Sequence, residues 1–176
     1  GNKYAERIAA LREFMASRSI DAVIVSASDP HMSEYIAARW QSVKWLTGFS
    51  AEAADVVVTA GHAGLWTDSR YFLQAEKELS GTGVVLHKTR MADSVGIPAW
   101  LSGQGVRTVL FDGTCQSVDF VVSLREALGN DAVLDDFPDF ISELWDDRPT
   151  IPFKPIVTQD VDSFGGIHRK DKIAWL

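Results

Sequence analysis

The stretch Thr67-Asp68-Ser69-Arg70-Tyr71-Phe72-Leu73-Gln74-Ala75 marks the change from an extended segment to a helix. Asp68 and Ser69 suit a helix start, because their side-chain oxygens accept hydrogen bonds from the free N–H groups of a first turn. Beyond them, apolar residues recur at helical spacing, at Tyr71, Phe72, Ala75 and Leu79. The stretch therefore predicts a strand, a polar turn and a helix that packs one face on a sheet.

A predicted hairpin precedes this turn. Val56–Thr59 and Leu65–Thr67 are rich in residues that favour strands, and the loop between them contains Gly61 and Gly64. Short loops with glycine join antiparallel strands, because glycine adopts the backbone angles that a tight turn requires. The second strand of this hairpin therefore leads directly into the polar turn at Asp68.

Further segments alternate between helical and extended patterns. We predict helices over 5–15 and 117–128 and strands over 21–26, 84–87, 108–112 and 132–134. Helices that alternate with strands favour parallel pairing, whereas the hairpin requires an antiparallel pair. The predicted fold class is therefore α/β, with a mixed β-sheet flanked by helices.

Composition narrows the class of protein. The chain has 176 residues, is 46% hydrophobic and carries a formal net charge of -7. This charge disfavours a nucleic-acid partner, because phosphate binding needs clustered Lys and Arg. No run approaches the roughly 20 apolar residues of a membrane span, and no signal sequence is evident. The single Cys115 cannot form an internal disulfide. We therefore expect a cytoplasmic protein with no membrane partner.

Four short motifs occur in a fixed order along the chain. They are His31–Ile36, Trp45–Phe49, Leu65–Ala75 and Leu144–Pro149, the last followed by further prolines at Pro152 and Pro155. Together they resemble the N-terminal domain of cytosolic-type, three-domain Xaa-Pro aminopeptidases (aminopeptidase P), in the creatinase/prolidase superfamily. The resemblance implies a creatinase/prolidase N-terminal fold with a ribonuclease H-like motif.

The resemblance also implies a domain organisation. It assigns residues 1–148 to the N-terminal domain, 149–158 to a proline-rich linker and 159–176 to the truncated start of a second, similar domain. Prolines fix backbone angles and disfavour helix before each ring, which is typical of a semi-rigid linker. The catalytic pita-bread domain of the family is expected to lie outside this chain.

The activity that the resemblance implies is removal of an N-terminal residue that precedes proline. The whole enzyme would use two metal ions, usually manganese, which activate a water for attack on the peptide carbonyl. His31, His62, His87 and His168 are far apart in the sequence, and none lies in a metal-binding pattern. We therefore expect no metal site, no cofactor and no catalytic residue in this chain, and no peptidase activity from it alone.

Arg70 is the first candidate for a substrate-binding residue. A guanidinium offers several hydrogen-bond donors and keeps its charge near neutral pH, so it suits the orientation of a peptide with proline in second position. The alternative is structural: Arg70 pairs with Asp68 and orders the turn between strand and helix. Asp68 is accordingly predicted as structural support for Arg70.

Three further residues are predicted to contact substrate. They are His31, Tyr35 and Phe49, of which the first two follow a strand, a common place for functional loops. His31 has a surface or capping role as its alternative, and Phe49 has a packing role. Glu34 is predicted as structural support, because a hydrogen-bonded pair of Glu34 and Tyr35 would brace the Arg70 turn.

Six tryptophans are many for a chain of this length. Trp66 and Trp145 lie in periodic segments and are predicted in the core, whereas Trp40 lies in a predicted polar loop, 37–44, and is predicted at an interface. The resemblance implies a homodimer, because related enzymes commonly dimerise through this domain.

One departure from the family's pattern keeps other functions open. After Phe49 the family has a glycine-rich run, whereas this chain reads Ala51-Glu52-Ala53-Ala54-Asp55, which lacks the freedom of glycine at a tight place. The altered loop favours one alternative, a protein-binding module from a superfamily member without metal ligands. The other alternative, a prolidase- or creatinase-like enzyme, stays open because the N-terminal domain separates these relatives poorly.

Overall fold

The computed structural model describes residues 2–27 and 41–146. Helices and strands alternate through these residues. The helices are α1 (Lys3–Ser17), α2 (Ser42–Thr47), α3 (Phe72–Glu78), α4 (Ile97–Gly103) and α5 (Val118–Leu128). The strands are β1 (Ala22–Ser26), β2 (Ala54–Thr59), β3 (Ala63–Thr67), β4 (Val85–Lys88), β5 (Thr108–Phe111) and β6 (Val133–Asp136).

The strands form one mixed sheet in the order β4-β3-β2-β1-β5-β6. β2 is antiparallel to both of its neighbours, and all other pairs are parallel. The C-terminal ends of the other five strands therefore lie at one edge of the sheet, beside the start of β2. We call this edge the carboxyl edge. There Asp55 lies between Ser26 and Trp66 in the strand register.

Both faces of the sheet are apolar, because helices cover both. Successive residues of a strand point to opposite faces, so Val23 and Val25 join one cluster and Ala22 and Ile24 the other. The first cluster packs under α1, α2 and α3. The second packs under α4 and α5, through Ile97, Leu101 and Leu124. Since the central strands are buried on both sides, they consist of nearly continuous apolar runs.

The predicted helices and strands are confirmed within a few residues. Two helices, α2 and α4, were not predicted. α2 spans six residues, too few for a periodic pattern; it buries Val43 and Leu46 and ends at Gly48, whose φ of 83° is left-handed. The prediction of a polar loop over 37–44 is therefore wrong for residues 42–44, which are helical. α4 has a proline in its first turn. Proline interrupts the interior of a helix but is favourable in the first turn, where its missing N–H group needs no partner.

The tryptophan predictions have two outcomes. Trp66 and Trp145 are buried, as predicted, and Trp145 stacks on Trp45 with ring centroids 5.3 Å apart. Trp40, the proline-rich linker and the start of a second domain lie outside the described residues. In the described part of the chain, no helix has both the length and the apolar character that a membrane span needs.

Candidate functional site

A cleft of about 420 Å³ opens at the carboxyl edge, between the first turns of α4 and α5. The strands and the loops that follow them supply its polar lining, including Ser26, Asp55, Asp68 and Gln116. Open sheets bind ligands in crevices at the C-terminal ends of their strands, where neighbouring connections leave toward opposite faces. β1 and β5 are such neighbours here, because β1 leads toward α2 and β5 toward α5 on the other face.

The floor of the cleft is a chain of hydrogen bonds between Asp55, Ser26 and Gln116, which we call the polar floor. Gln116 donates from Nε2 to the Ser26 hydroxyl, which is hydrogen-bonded in turn to the carboxyl group of Asp55. Burial raises the pKa of Asp55, and the hydrogen bond with Ser26 offsets only part of this shift. A carboxyl group with a perturbed pKa in a cleft is a candidate for a functional group.

Asp68 and Arg70 form an ion pair on the rim of this cleft. Asp68 caps a short 3₁₀ turn over Ser69–Tyr71 by accepting from the backbone N–H of Arg70 at 3.0 Å. Arg70 also donates from Nε and Nη2 to the two carboxylate oxygens, both at 2.9 Å. These bonds lower the pKa of Asp68 to about 2 and raise the pKa of Arg70. The structural pairing of Arg70 with Asp68 is therefore present.

The pairing leaves much of Arg70 free to meet a ligand. Its side chain is 65% exposed, and two of the five guanidinium N–H donors serve the bonds from side chain to side chain. The guanidinium carbon lies 5.0 Å from the centre of the Tyr71 ring. The ion pair and the ring thus fix the orientation of a cationic group that remains open to solvent.

Phe49 lies behind this turn in the core. None of its surface is exposed, and its ring meets that of Tyr71 edge to face at 6.3 Å. Its contact with substrate stays a prediction, and so does that of Arg70. His31, Glu34 and Tyr35 lie outside the described residues, so the predicted brace on the Arg70 turn stays a prediction too.

A second group of polar side chains lies on the same face of the sheet as Asp55. We call it the histidine cluster, and it is formed by His62, His87, Trp66 and Trp100. The Nε2 atoms of His62 and His87 are 2.9 Å apart, so one imidazole donates and the other accepts. His87 stacks on Trp66 at 3.7 Å, and His62 lies 4.9 Å from Trp100, centroid to centroid. Burial, aided by the charge of His62, lowers the pKa of His87 to about 4.

The sequence did not reveal this pair, because 25 residues separate its members. The parallel register of β3 and β4 places His87 opposite Trp66, and His62, just before β3, then reaches His87; no local pattern in the sequence marks this contact. Among residues 2–27 and 41–146, no group of three or more His, Cys, Asp or Glu side chains could hold a metal ion.

Comparison with known proteins places this geometry in a family. Residues 7–144 match the Creatinase/Prolidase N-terminal domain. The chain is 32% identical to Aminopeptidase P1 of Arabidopsis thaliana over 167 residues, which is 92% of the chain and 25% of that protein. It is 35% identical to Xaa-Pro aminopeptidase app-1 of Caenorhabditis elegans over 168 residues, which is 92% of the chain and 26% of that protein.

A solved structure gives the same result. The X-prolyl aminopeptidase of C. elegans, described as a cytosolic enzyme with a di-nuclear active site, superposes with a TM-score of 0.78 at 32% identity. The match covers 96% of this chain and 29% of that one, so the chain spans about a quarter of the relatives it matches. The chain therefore belongs to the creatinase/prolidase N-terminal domain family, and its close relatives are Xaa-Pro aminopeptidases.

Proposed function

We propose that this chain is the non-catalytic N-terminal domain of a metal-dependent Xaa-Pro aminopeptidase. Such an enzyme hydrolyses the peptide bond between an N-terminal residue and proline. The observation that carries the proposal is the family match over residues 7–144, together with 32–35% identity to aminopeptidases over 92% of the chain. The domain would shape the access of peptide to a catalytic centre that another part of the enzyme supplies.

The metal ions of the enzyme belong to that other part. The C. elegans relative is described as having a di-nuclear active site, whereas the described residues of this chain offer no group of ligands that fits a metal. We infer two manganese ions in a catalytic domain beyond this chain. Metal ions of this kind polarise a carbonyl and activate water, and the groups described here take no part in that step.

Arg70 is the residue that we infer to meet the peptide. Its position at the carboxyl edge, its exposure and its fixed orientation on Asp68 suit a donor to peptide carbonyls or to a terminal carboxylate. Asp68 acts as a positioning residue, because its two oxygens hold the guanidinium plane. A lysine at the same position would keep the charge but lose the paired bonds.

The test is kinetic and uses the whole enzyme with manganese on Xaa-Pro peptides. We expect Arg70→Ala to lower kcat/KM about 10- to 100-fold, the range for a lost hydrogen bond to a charged group, chiefly by raising KM. Arg70→Lys should rescue only part of this loss. Arg107→Ala is the matched control, because Arg107 is also exposed but precedes β5 at the opposite edge.

Two outcomes would overturn parts of the proposal. Unchanged kinetics of Arg70→Ala would remove Arg70 from substrate binding. Absence of Xaa-Pro hydrolysis by the whole enzyme would overturn the aminopeptidase itself and favour a protein-binding module. Faster turnover of Xaa-Pro dipeptides than of longer peptides would favour a prolidase-like enzyme.

Assembly and location are part of the same proposal. We infer a homodimer, with Trp40 at the interface, and a cytoplasmic enzyme, since the C. elegans relative is described as cytosolic. Light scattering on the whole protein tests the dimer. Trp40→Ala should shift the protein toward monomer, and an unchanged mass would remove Trp40 from the interface.

A further inference from the structure

Asp55 occupies a place that the pattern of the sheet gives to an apolar residue. It lies on the same face of β2 as Val57, and its neighbours on that face include Ile24 and Trp66, all three buried. β2 is a central strand and Asp55 is partly buried at its start, so the carboxyl group is partly desolvated, which disfavours its charge. The hydrogen bond with Ser26 offsets only part of that cost, since the pKa of Asp55 stays raised.

Asp55 forms no ion pair with a described residue, although Arg90 also lines the cleft. Arg70 binds Asp68, and the charge of Arg90 also acts on Asp68. Among the described residues, the pKa of Asp55 reflects burial and the hydrogen bond with Ser26 rather than a neighbouring cation. Glu52 adds a further carboxylate to the lining. Because Arg90 acts on Asp68, the carboxyl groups of Asp55 and Glu52 are the ones that remain for a cation from outside, within the described part of the chain.

The walls of the cleft indicate the shape of that cation. Phe120 and Ile97 line the cleft on the side of α5 and α4, and both present carbon atoms. The hydroxyl of Ser26 and the amide of Gln116 lie at the floor beside the carboxyl group. Lysine and arginine side chains combine an apolar stem with a charged end, which matches this division.

We propose that the cleft binds a lysine or arginine side chain of a peptide, with its stem against Phe120 and Ile97 and its charged end on Asp55. That the ligand is a peptide rests on the proposed function; that the bound group is a cation rests on the polar floor alone. The domain would thereby favour peptide substrates with a basic residue, in addition to the contact that Arg70 makes.

The test is an NMR titration of the 176-residue chain with two small probes. Nα-acetyl-lysine methylamide carries the charge, and its norleucine counterpart has the same stem without it. The reporter is the indole N–H of Trp66, which lines the cleft and donates to the Val95 carbonyl at 3.0 Å. We expect saturable shifts with the lysine probe and at least tenfold weaker binding of the norleucine probe.

Variants locate the bound charge. Asp55→Asn should weaken the lysine probe at least tenfold, because it removes the charge and keeps the shape. Asp131→Asn, at an exposed site beside the start of β6, should change the affinity less than twofold. Equal binding of both probes, no saturable shift with lysine, or an unchanged affinity of Asp55→Asn would overturn the inference. The comparison of the two probes needs no variant, so it tests whether the cleft binds a cation even if Asp55→Asn does not fold.

The outcome of the titration is independent of the outcome of the kinetic test of Arg70. Lysine binding to Asp55 with unchanged kinetics of Arg70→Ala would leave the cleft site in place and remove the role of Arg70. The reverse pattern would keep the aminopeptidase proposal and remove the basic-residue site.

Discussion

The polar floor and the histidine cluster lie on the same face of the sheet, yet their polar groups have different hydrogen-bond partners and different exposure to solvent. His62 and His87 bond to each other at 2.9 Å between aromatic rings. Asp55 bonds to a hydroxyl and faces an open cleft. Burial favours the neutral form in both places, so it lowers the pKa of His87 and raises the pKa of Asp55.

This difference separates structural from functional polar groups. Near neutral pH the histidines are already neutral, so their burial costs little and their mutual bond stabilises the fold. The pKa of Asp55 is raised in the fold, so at pH values above its unfolded pKa this carboxyl group reduces stability. Groups that reduce stability in a cleft are candidates for ligand binding, because sites for function are often strained or poorly compensated.

The largest expected effect comes from breaking the histidine cluster. A Cβ atom on Gly64 would lie 2.7 Å from Cδ2 of His87 and from Cζ3 of Trp66. Gly64→Ala should therefore lower the free energy of unfolding by about 1–3 kcal/mol, the usual cost of overpacking. Gly61→Ala, in the same hairpin, is the control, because a Cβ there meets nothing within 4 Å. Equal values for the two variants in denaturant unfolding would refute the close packing.

A smaller effect concerns pH. The pKa of His87 is about 4 in the fold, against 6.5 for an unperturbed histidine, so the unfolded chain binds more protons between these limits. The contribution of His87 is thus present above pH 6.5 and is lost as pH falls toward 4. We expect a loss of about 1–2 kcal/mol, reduced from the full shift because the ring is only partly buried and solvent screens it.

His87→Phe isolates this contribution, because a phenyl ring keeps the stack on Trp66 and does not titrate. The variant should be less stable than the parent at pH 7, since His62 loses its partner. It should lose less stability than the parent on going from pH 7 to pH 4.5. Parallel unfolding profiles of the two proteins across this range would show that His87 does not titrate with a lowered pKa.

Much of the fold was predictable because its signals are local. The alternation in the strands, the helical spacing in α1 and α5 and the cap at Asp68 are all written in short segments. α2 and α4 were not predicted because six or seven residues show too little periodicity. Their burial depends on the sheet on which they pack.

The site was less predictable, because its groups meet only through the strand register. The sequence drew attention to Arg70, Asp68 and the unusual loop that ends at Asp55. It did not show that Asp55 lies opposite Ser26, or that Gln116 extends from the loop before α5 to join them. The pairing of His62 with His87 depends on long-range register in the same way.

The smallest stability effect is also the most direct test of the central claim, that Asp55 serves a ligand rather than the fold. Asp55 has a raised pKa in the fold, so its contribution to stability is lost as pH rises through that value. We expect Asp55→Asn to be more stable than the parent by about 0.5–1 kcal/mol at pH 7, on the scale of a partly compensated buried charge. The decisive measurement is the free energy of unfolding of Asp55→Asn at pH 7, paired with its affinity for the lysine probe. A gain in stability with a loss of affinity is the predicted result; a loss of stability with unchanged affinity would contradict the account.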